Sequence, residues 1–270
     1  MNDLITLEKH VNEIYDAAAA NILNYTPQLY VFKDYVGKTI QSHGSCVLIK
    51  LRNTFYMATA RHCLIQAGQQ IKVGVLNGKG HLRLISGFTV FNSGDDDKVD
   101  LALVKLQPES VQVLLEEYKF LDFSKVRPTT NIDHETDYLI VGHTISKTNI
   151  DNKKRKIKLK PLVHIGKSLG EKAYEKNGYE KAINTLIRYD QRRGTIIGSN
   201  EMSMSPTPKG ISGCGLWYIQ SYTIANPQDA DFYLMGIMIE HDKQNRMMVA
   251  TKSEELAKIF QLSVNKFGNL

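Results

Sequence analysis

Three residues in this chain could do chemistry together. His62 stands near the end of Met57-Ala58-Thr59-Ala60-Arg61-His62-Cys63, and Asp100 opens the apolar run Leu101-Ala102-Leu103-Val104. Ser212 lies in the glycine-rich segment Gly210-Ile211-Ser212-Gly213-Cys214-Gly215. A serine hydroxyl is a weak nucleophile at neutral pH and needs a base within hydrogen-bond reach. Histidine, with an unperturbed pKa of about 6.5, can act as that base. A carboxylate then fixes the imidazole tautomer and stabilises the imidazolium. Glycines around the serine free the local backbone, so that amides can turn toward a developing oxyanion. The amides of Gly210 and Ser212 are the candidate donors.

The elements that must carry these residues are mostly strands. Residues 3–24 form the clearest helix, with Leu4, Leu7, Val11, Ile14, Ala18 and Ile22 at three- and four-residue steps and Pro27 beyond its end. Its single apolar stripe must pack on the body of the protein or on a partner. From about residue 36, short runs rich in Val, Ile, Leu, Thr and Tyr alternate with turn residues. They include Ser45–Leu51, Thr54–Ala58, Leu101–Lys105, Tyr138–Val141, Ile157–His164, Gly215–Tyr218, Phe232–Ile239 and Met247–Ala250. That pattern predicts an all-β sandwich or barrel system. Turns are expected at residues 77–80 and 93–97, brief helices within 107–119 and 168–182, and a terminal helix over Ser253–Phe260.

Composition narrows the class. The 270 residues are 42% hydrophobic, enough to build a core, which excludes a wholly disordered chain. No apolar run is long enough for a membrane span, and Asp3 and Glu8 stand where a signal peptide would be basic and then apolar. Three cysteines, Cys46, Cys63 and Cys214, make no CxxC and cannot all pair, so the expectation is a reducing compartment, the cytoplasm. No spacing suits a metal site, and no cofactor is expected. The net charge of +6 is concentrated in Lys153, Lys154, Arg155, Lys156, Lys158 and Lys160. With Ile157 and Leu159 interleaved, the stretch reads as a half-buried strand with a solvated basic face rather than a nucleic-acid site.

Thr-Ala-x-His-Cys, Asp-Leu-Ala-Leu and Gly-x-Ser-Gly, in that order, resemble the three signature segments of the trypsin/chymotrypsin family. Gly44-Ser45-Cys46-Val47-Leu48-Ile49 is similar to the strand before that family's histidine. Leu234-Met235-Gly236-Ile237-Met238-Ile239 is similar to the strand beside its substrate. The resemblance covers about residues 36–250. It implies two six-stranded antiparallel barrels with His62, Asp100 and Ser212 as a triad in the cleft between them. On that reading residues 1–35 are an N-terminal helical extension and 36–125 the first barrel. Residues 126–250 are the second barrel, and 251–270 a C-terminal helix and tail.

An α/β-hydrolase elbow is rejected, because His62 and Asp100 both precede Ser212 and Cys214 holds the position of its last glycine. Ser212 rather than Cys214 occupies the nucleophile frame. The residue before Ser212 is Ile211, not the Asp that pairs with a freed N-terminus in secreted relatives, so activation by that cleavage is not expected. The family's specificity position, six before the serine, is Pro206, so a Lys/Arg preference does not carry over. Segments 205–209 and 239–242 are expected to wall the pocket, with Pro206, Thr207, Ile239, Glu240 and His241 as its candidate residues. Glu240 and Asp242 read as solvated loop acids before they read as ligands for a basic side chain.

The expectation is therefore a serine endopeptidase with a narrow or triggered set of protein substrates, similar to the small intracellular trypsin-like peptidases of bacteria. The N-terminal helix is a candidate surface for a regulatory partner; no membrane or nucleic-acid partner is expected. The alternative is a non-catalytic binding protein on the same scaffold.

Overall fold

The computed structural model describes residues 2–33, 39–66, 69–77, 81–91, 98–129, 137–151, 156–190, 194–195, 202–203, 207–223 and 226–267. The chain opens with the helix Asn2–Leu23. Its stripe from Ile14 through Ala18 to Ile22 is fully buried, and the helix packs on the strands Asp137–Asp151 and Asn226–Asp242. The helix therefore belongs to the core, and from Ile14 onward its apolar face is covered by the protein itself. Before Pro27 the turn is closed by Thr26, whose amide and hydroxyl donate to the carbonyls of Leu23 and Ile22.

Three main sheets follow. The first orders Ile40–Ser45, Gln28–Phe32, Gly74–Leu76 and Leu82–Leu84, all antiparallel. The second orders Leu121–Asp122, Val47–Leu51, Thr54–Ala60, Leu101–Leu106 and Gly87–Phe91, with only its short outermost pair parallel. The chain crosses between these sheets twice in nearly continuous strands. One crossing is at Cys46, after Ile40–Ser45, and the other at Ile85-Ser86, after Leu82–Leu84.

The third sheet orders Lys156–Lys167, Asp137–Asp151, Gly215–Thr223, Asn226–Asp242, Met247–Lys252 and Asn184–Arg188, all antiparallel. Just past the end of Lys156–Lys167 the chain meets the opposite outer strand, where Ser168 bridges Ile187 and the Leu169 amide donates to the Leu186 carbonyl. The protein is thus mostly β, with short helices Pro108–Leu115 and Glu171–Asn177 and a longer one at Ser253–Phe267. No described helix is long and apolar enough to cross a membrane.

The apolar runs Val47–Ile49 and Leu101–Val104 within these strands are explained by burial of both faces. Leu48, Ala102 and Val104 join Leu29 and Met57 in one cluster. Their neighbours Val47, Ile49, Leu101 and Leu103 face the other way, onto Trp217, Leu139, Leu234 and the terminal helices. A third cluster built on Ile140, Ile211, Cys214, Leu216 and Met238 supports the serine segment from beneath.

Several elements differ from the sequence pattern. The strand Gln28–Phe32 was not signalled, since four consecutive buried residues leave no alternation to read. The strand Asp137–Asp151 runs on past Val141 as one arm of a long hairpin, through polar residues that have no apolar period. The helix within 168–182 stops at Asn177, because Gly178 takes a left-handed φ of 69°. Of the basic run, Lys158 and Lys160 are exposed and Ile157 is half-buried. Lys153, Lys154 and Arg155 lie outside the described residues, as do most of the two expected turns.

Candidate active site

His62 sits in the 3-10 turn Arg61–Cys63 that ends the strand Thr54–Ala60. Antiparallel pairing sets Leu101 opposite Ala60, so Asp100 meets the start of that turn. Three bonds join them. The Arg61 amide donates to the Asp100 carbonyl at 2.8 Å, and the His62 amide to Asp100 Oδ1 at 3.0 Å. The His62 ring closes the pair through Nδ1 to Asp100 Oδ2 at 2.5 Å. Both carboxylate oxygens are therefore engaged by one residue, and Nδ1 is tied up as a donor.

Asp100 adopts φ of 30°, a left-handed conformation uncommon for residues other than glycine. Such strain persists where surrounding contacts over-determine it. Here they come from distant strands. Thr251 Oγ1 donates to the Val99 carbonyl at 2.5 Å, and Asn184 Nδ2 to the Lys98 carbonyl at 2.7 Å.

The hydrogen bond to Asp100, with a smaller contribution from the Cys63 sulfur and against the opposing effect of burial, raises the His62 pKa well above its usual value. A carboxylate held against the ring favours the imidazolium. Half of the His62 side chain is exposed, so the shift bears on its protonation and not on stability. We predict that the His62 ring protons titrate above pH 6.5 in NMR spectra, and that Asp100→Asn moves the midpoint down. Identical midpoints in the two proteins would remove Asp100 as the cause.

Ser212 is positioned from both sides of the cleft. Its carbonyl accepts from the Ser45 amide at 2.8 Å, and the next amide, Gly213, donates to the Met238 carbonyl at 2.7 Å. Gly210 and Gly213 have φ of 92° and 90°, which turn the backbone sharply on each side of the serine. A Cβ on Gly213 would lie 1.9 Å from the Ser45 carbonyl oxygen and 2.2 Å from Thr59 Oγ1. Thr59 itself donates to that carbonyl at 2.7 Å. Among the described residues, neither the Gly210 nor the Ser212 amide is engaged by another group. The Ser212 hydroxyl donates to the Ile239 carbonyl at 3.3 Å.

His62, Gly210 and Ser212 line one cleft of about 770 Å³. Of the candidate pocket residues, Thr207 and His241 line the same cleft. Ile239 is buried and contributes its carbonyl, Glu240 faces away to accept from the Tyr179 hydroxyl at 2.7 Å, and Pro206 lies outside the described residues.

The sequence reading missed His43, which donates through Nε2 to the Cys63 carbonyl at 3.0 Å beside His62. It also missed Lys33 and Lys209, which border the cleft. His43 immediately precedes the Gly44-Ser45 pair, and that adjacency was the available signal. Among the described residues, no cluster of three or more His, Cys, Asp or Glu could hold a metal ion.

No protein-family model matches the chain, and no curated protein matches it. Matching solved structures include one described as "Aromatic interactions drive the coupled folding and binding of the intrinsically disordered Sesbania mosaic virus VPg protein". It is 13% identical, covers 86% of this chain and 89% of that one, and aligns with a TM-score of 0.47. At that score the likeness carries no argument for this chain's fold or chemistry.

Proposed function

We propose that this protein is a serine endopeptidase in which Ser212 attacks the scissile carbonyl, His62 transfers the proton and Asp100 holds His62. The observation that carries this reading is the His62–Asp100 pair, with Nδ1 committed to the carboxylate, facing a cleft shared with Ser212. With Nδ1 so committed, Nε2 is the nitrogen left for the serine proton whenever the ring is neutral, and the raised His62 pKa places that form at higher pH. Two unengaged amides at Gly210 and Ser212 support an oxyanion site that exists before substrate arrives.

The Ser212 hydroxyl must leave the Ile239 carbonyl and turn toward His62 before it can react. A rotation about one side-chain bond is the kind of adjustment that substrate binding brings about. Burial pushes the Cys214 thiol pKa far up, which favours Ser212 over Cys214 as the nucleophile.

Two barrels are the architecture we propose for this site. The two crossings between the first and second sheets support one barrel, since they make corners of the kind that fold a sheet pair around a common core. The meeting of Ser168 with Ile187 supports the other. All three cysteines are buried free thiols, which supports a reducing compartment.

The hydroxyl's bond to Ile239 is the one observation that favours the alternative, a binding protein on this scaffold. A fluorophosphonate probe separates the two. Wild type and Cys214→Ala should be labelled and Ser212→Ala should not. An unlabelled wild-type protein that is folded and free of inhibitors would point to the binding protein.

A further inference from the structure

The cleft has a consistent electrostatic character. Lys33, Lys209, His43, His62 and His241 line it, and among the described lining residues there is no Asp or Glu. Asp100, beside the cleft residue His62, is spent on it through both oxygens. The two acids that a basic substrate side chain could have used are committed elsewhere. Glu240 accepts from Tyr179, and Asp242 holds the Asn245 amide at 2.9 Å and its Nδ2 at 2.8 Å.

His241 is fixed as a recognition group would be. Its ring packs edge-on to Tyr189 with centroids 5.4 Å apart, and Tyr189 packs in the same manner on His164 at 4.8 Å. His164 in turn donates through Nε2 to the Arg188 carbonyl at 3.1 Å. Among the described residues, the His241 ring nitrogens have no hydrogen-bond partner. A donor held in place beside the nucleophile, with Lys209 next to the oxyanion site, suits an acceptor-only, negatively charged group.

We infer that the side chain bound beside Ser212 is a carboxylate, so that the enzyme cleaves after glutamate or aspartate, with His241 and Lys209 as its specificity determinants. This rests on the hydrolase reading above. A basic side chain would meet Lys33, Lys209 and the protonated form of His62, and no acid among the described lining residues; burial favours neutral His43 and His241, which act as hydrogen-bonding groups. A neutral apolar one would leave His241 unpaired.

The test uses peptides blocked at both ends, Gly-Ser-Gly-X-Ala-Gly with X as Glu, Gln, Leu or Lys, so that only the side chain can bring a carboxylate. Wild-type kcat/KM should favour Glu over Gln by about fivefold, the scale of one exposed charge pair. It should favour Glu over Lys by about a hundredfold or more. Fluorescein-labelled versions should bind Ser212→Ala in the same order by anisotropy, which reads acid recognition without turnover.

His241→Gln should lower the preference for Glu over Lys by about tenfold, and Lys209→Glu should shift selectivity toward Lys. Equal binding of all four peptides, or a preference for Leu or Lys, overturns the inference. So does salt-sensitive binding of a labelled poly(U) oligonucleotide that displaces every peptide alike. Fluorophosphonate labelling of the same wild-type preparation keeps the two readings apart. Labelling without a preference for Glu removes the inference alone, whereas Glu-selective binding without labelling removes the hydrolase and with it cleavage after Glu, leaving only an acid-binding cleft.

Discussion

Ser212→Ala is expected to lower kcat by about five to six orders of magnitude, with His62→Ala about as damaging and the double variant scarcely worse. The reasoning is that the two act as one unit. A hydroxyl without a base is not deprotonated in the transition state, and a base without the hydroxyl has no proton to take. A residual rate from the Gly210 and Ser212 amides should remain, because these donors come from the backbone and survive both substitutions. Steady-state kinetics on the best-cleaved peptide, with circular dichroism to verify folding, would check this. Multiplying losses in the double variant would mean that the two residues do not work together.

The second large effect is structural. Gly213→Ala should cost about 3 kcal/mol or more, the range reached when a substitution both strains the backbone and overlaps fixed atoms. The left-handed φ of 90° alone disfavours a side chain, and the new methyl would overlap the Ser45 carbonyl and the Thr59 hydroxyl. Neither can swing aside freely, since Thr59 and Ser45 are bonded to each other.

Gly178 is the internal control. It also has a positive φ, of 69°, but nothing lies within 4 Å of the place a Cβ would take. Gly178→Ala should therefore cost only about 1 kcal/mol. Urea unfolding of the two variants would separate strain from overlap. Similar losses would mean that the Ser45 contact is not what defines the loop.

How much could be read from the sequence depended on how local each cause was. His62, Asp100 and Ser212 were legible because each lies in a short motif at the edge of a strand, and strand pairing alone carries Asp100 to His62. The doubly buried parts of the strands Val47–Leu51 and Leu101–Leu106 were legible as the apolar runs Val47–Ile49 and Leu101–Val104. The pocket was not. Which of Glu240 and His241 turns toward Ser212 cannot be counted from the strand's period of two, because the pairing register slips between Met238 and Glu240. The answer is set by Tyr179 drawing off Glu240 and by Tyr189 supporting His241, and both lie far away along the chain. The strained corner at Asp100 was hidden for the same reason, being held by Thr251 and Asn184.

That last contact bears on when the protein becomes competent as it is synthesised. Thr251 is made long after Asp100, yet its hydroxyl fixes the carbonyl just before that residue. While residue 251 is still unmade, the corner lacks this support, and one of the contacts that hold Asp100 at its left-handed φ is missing. If the chain is the hydrolase proposed above, that hydroxyl would defer its activity until synthesis has passed residue 251, well after His62, Asp100 and Ser212 have been made.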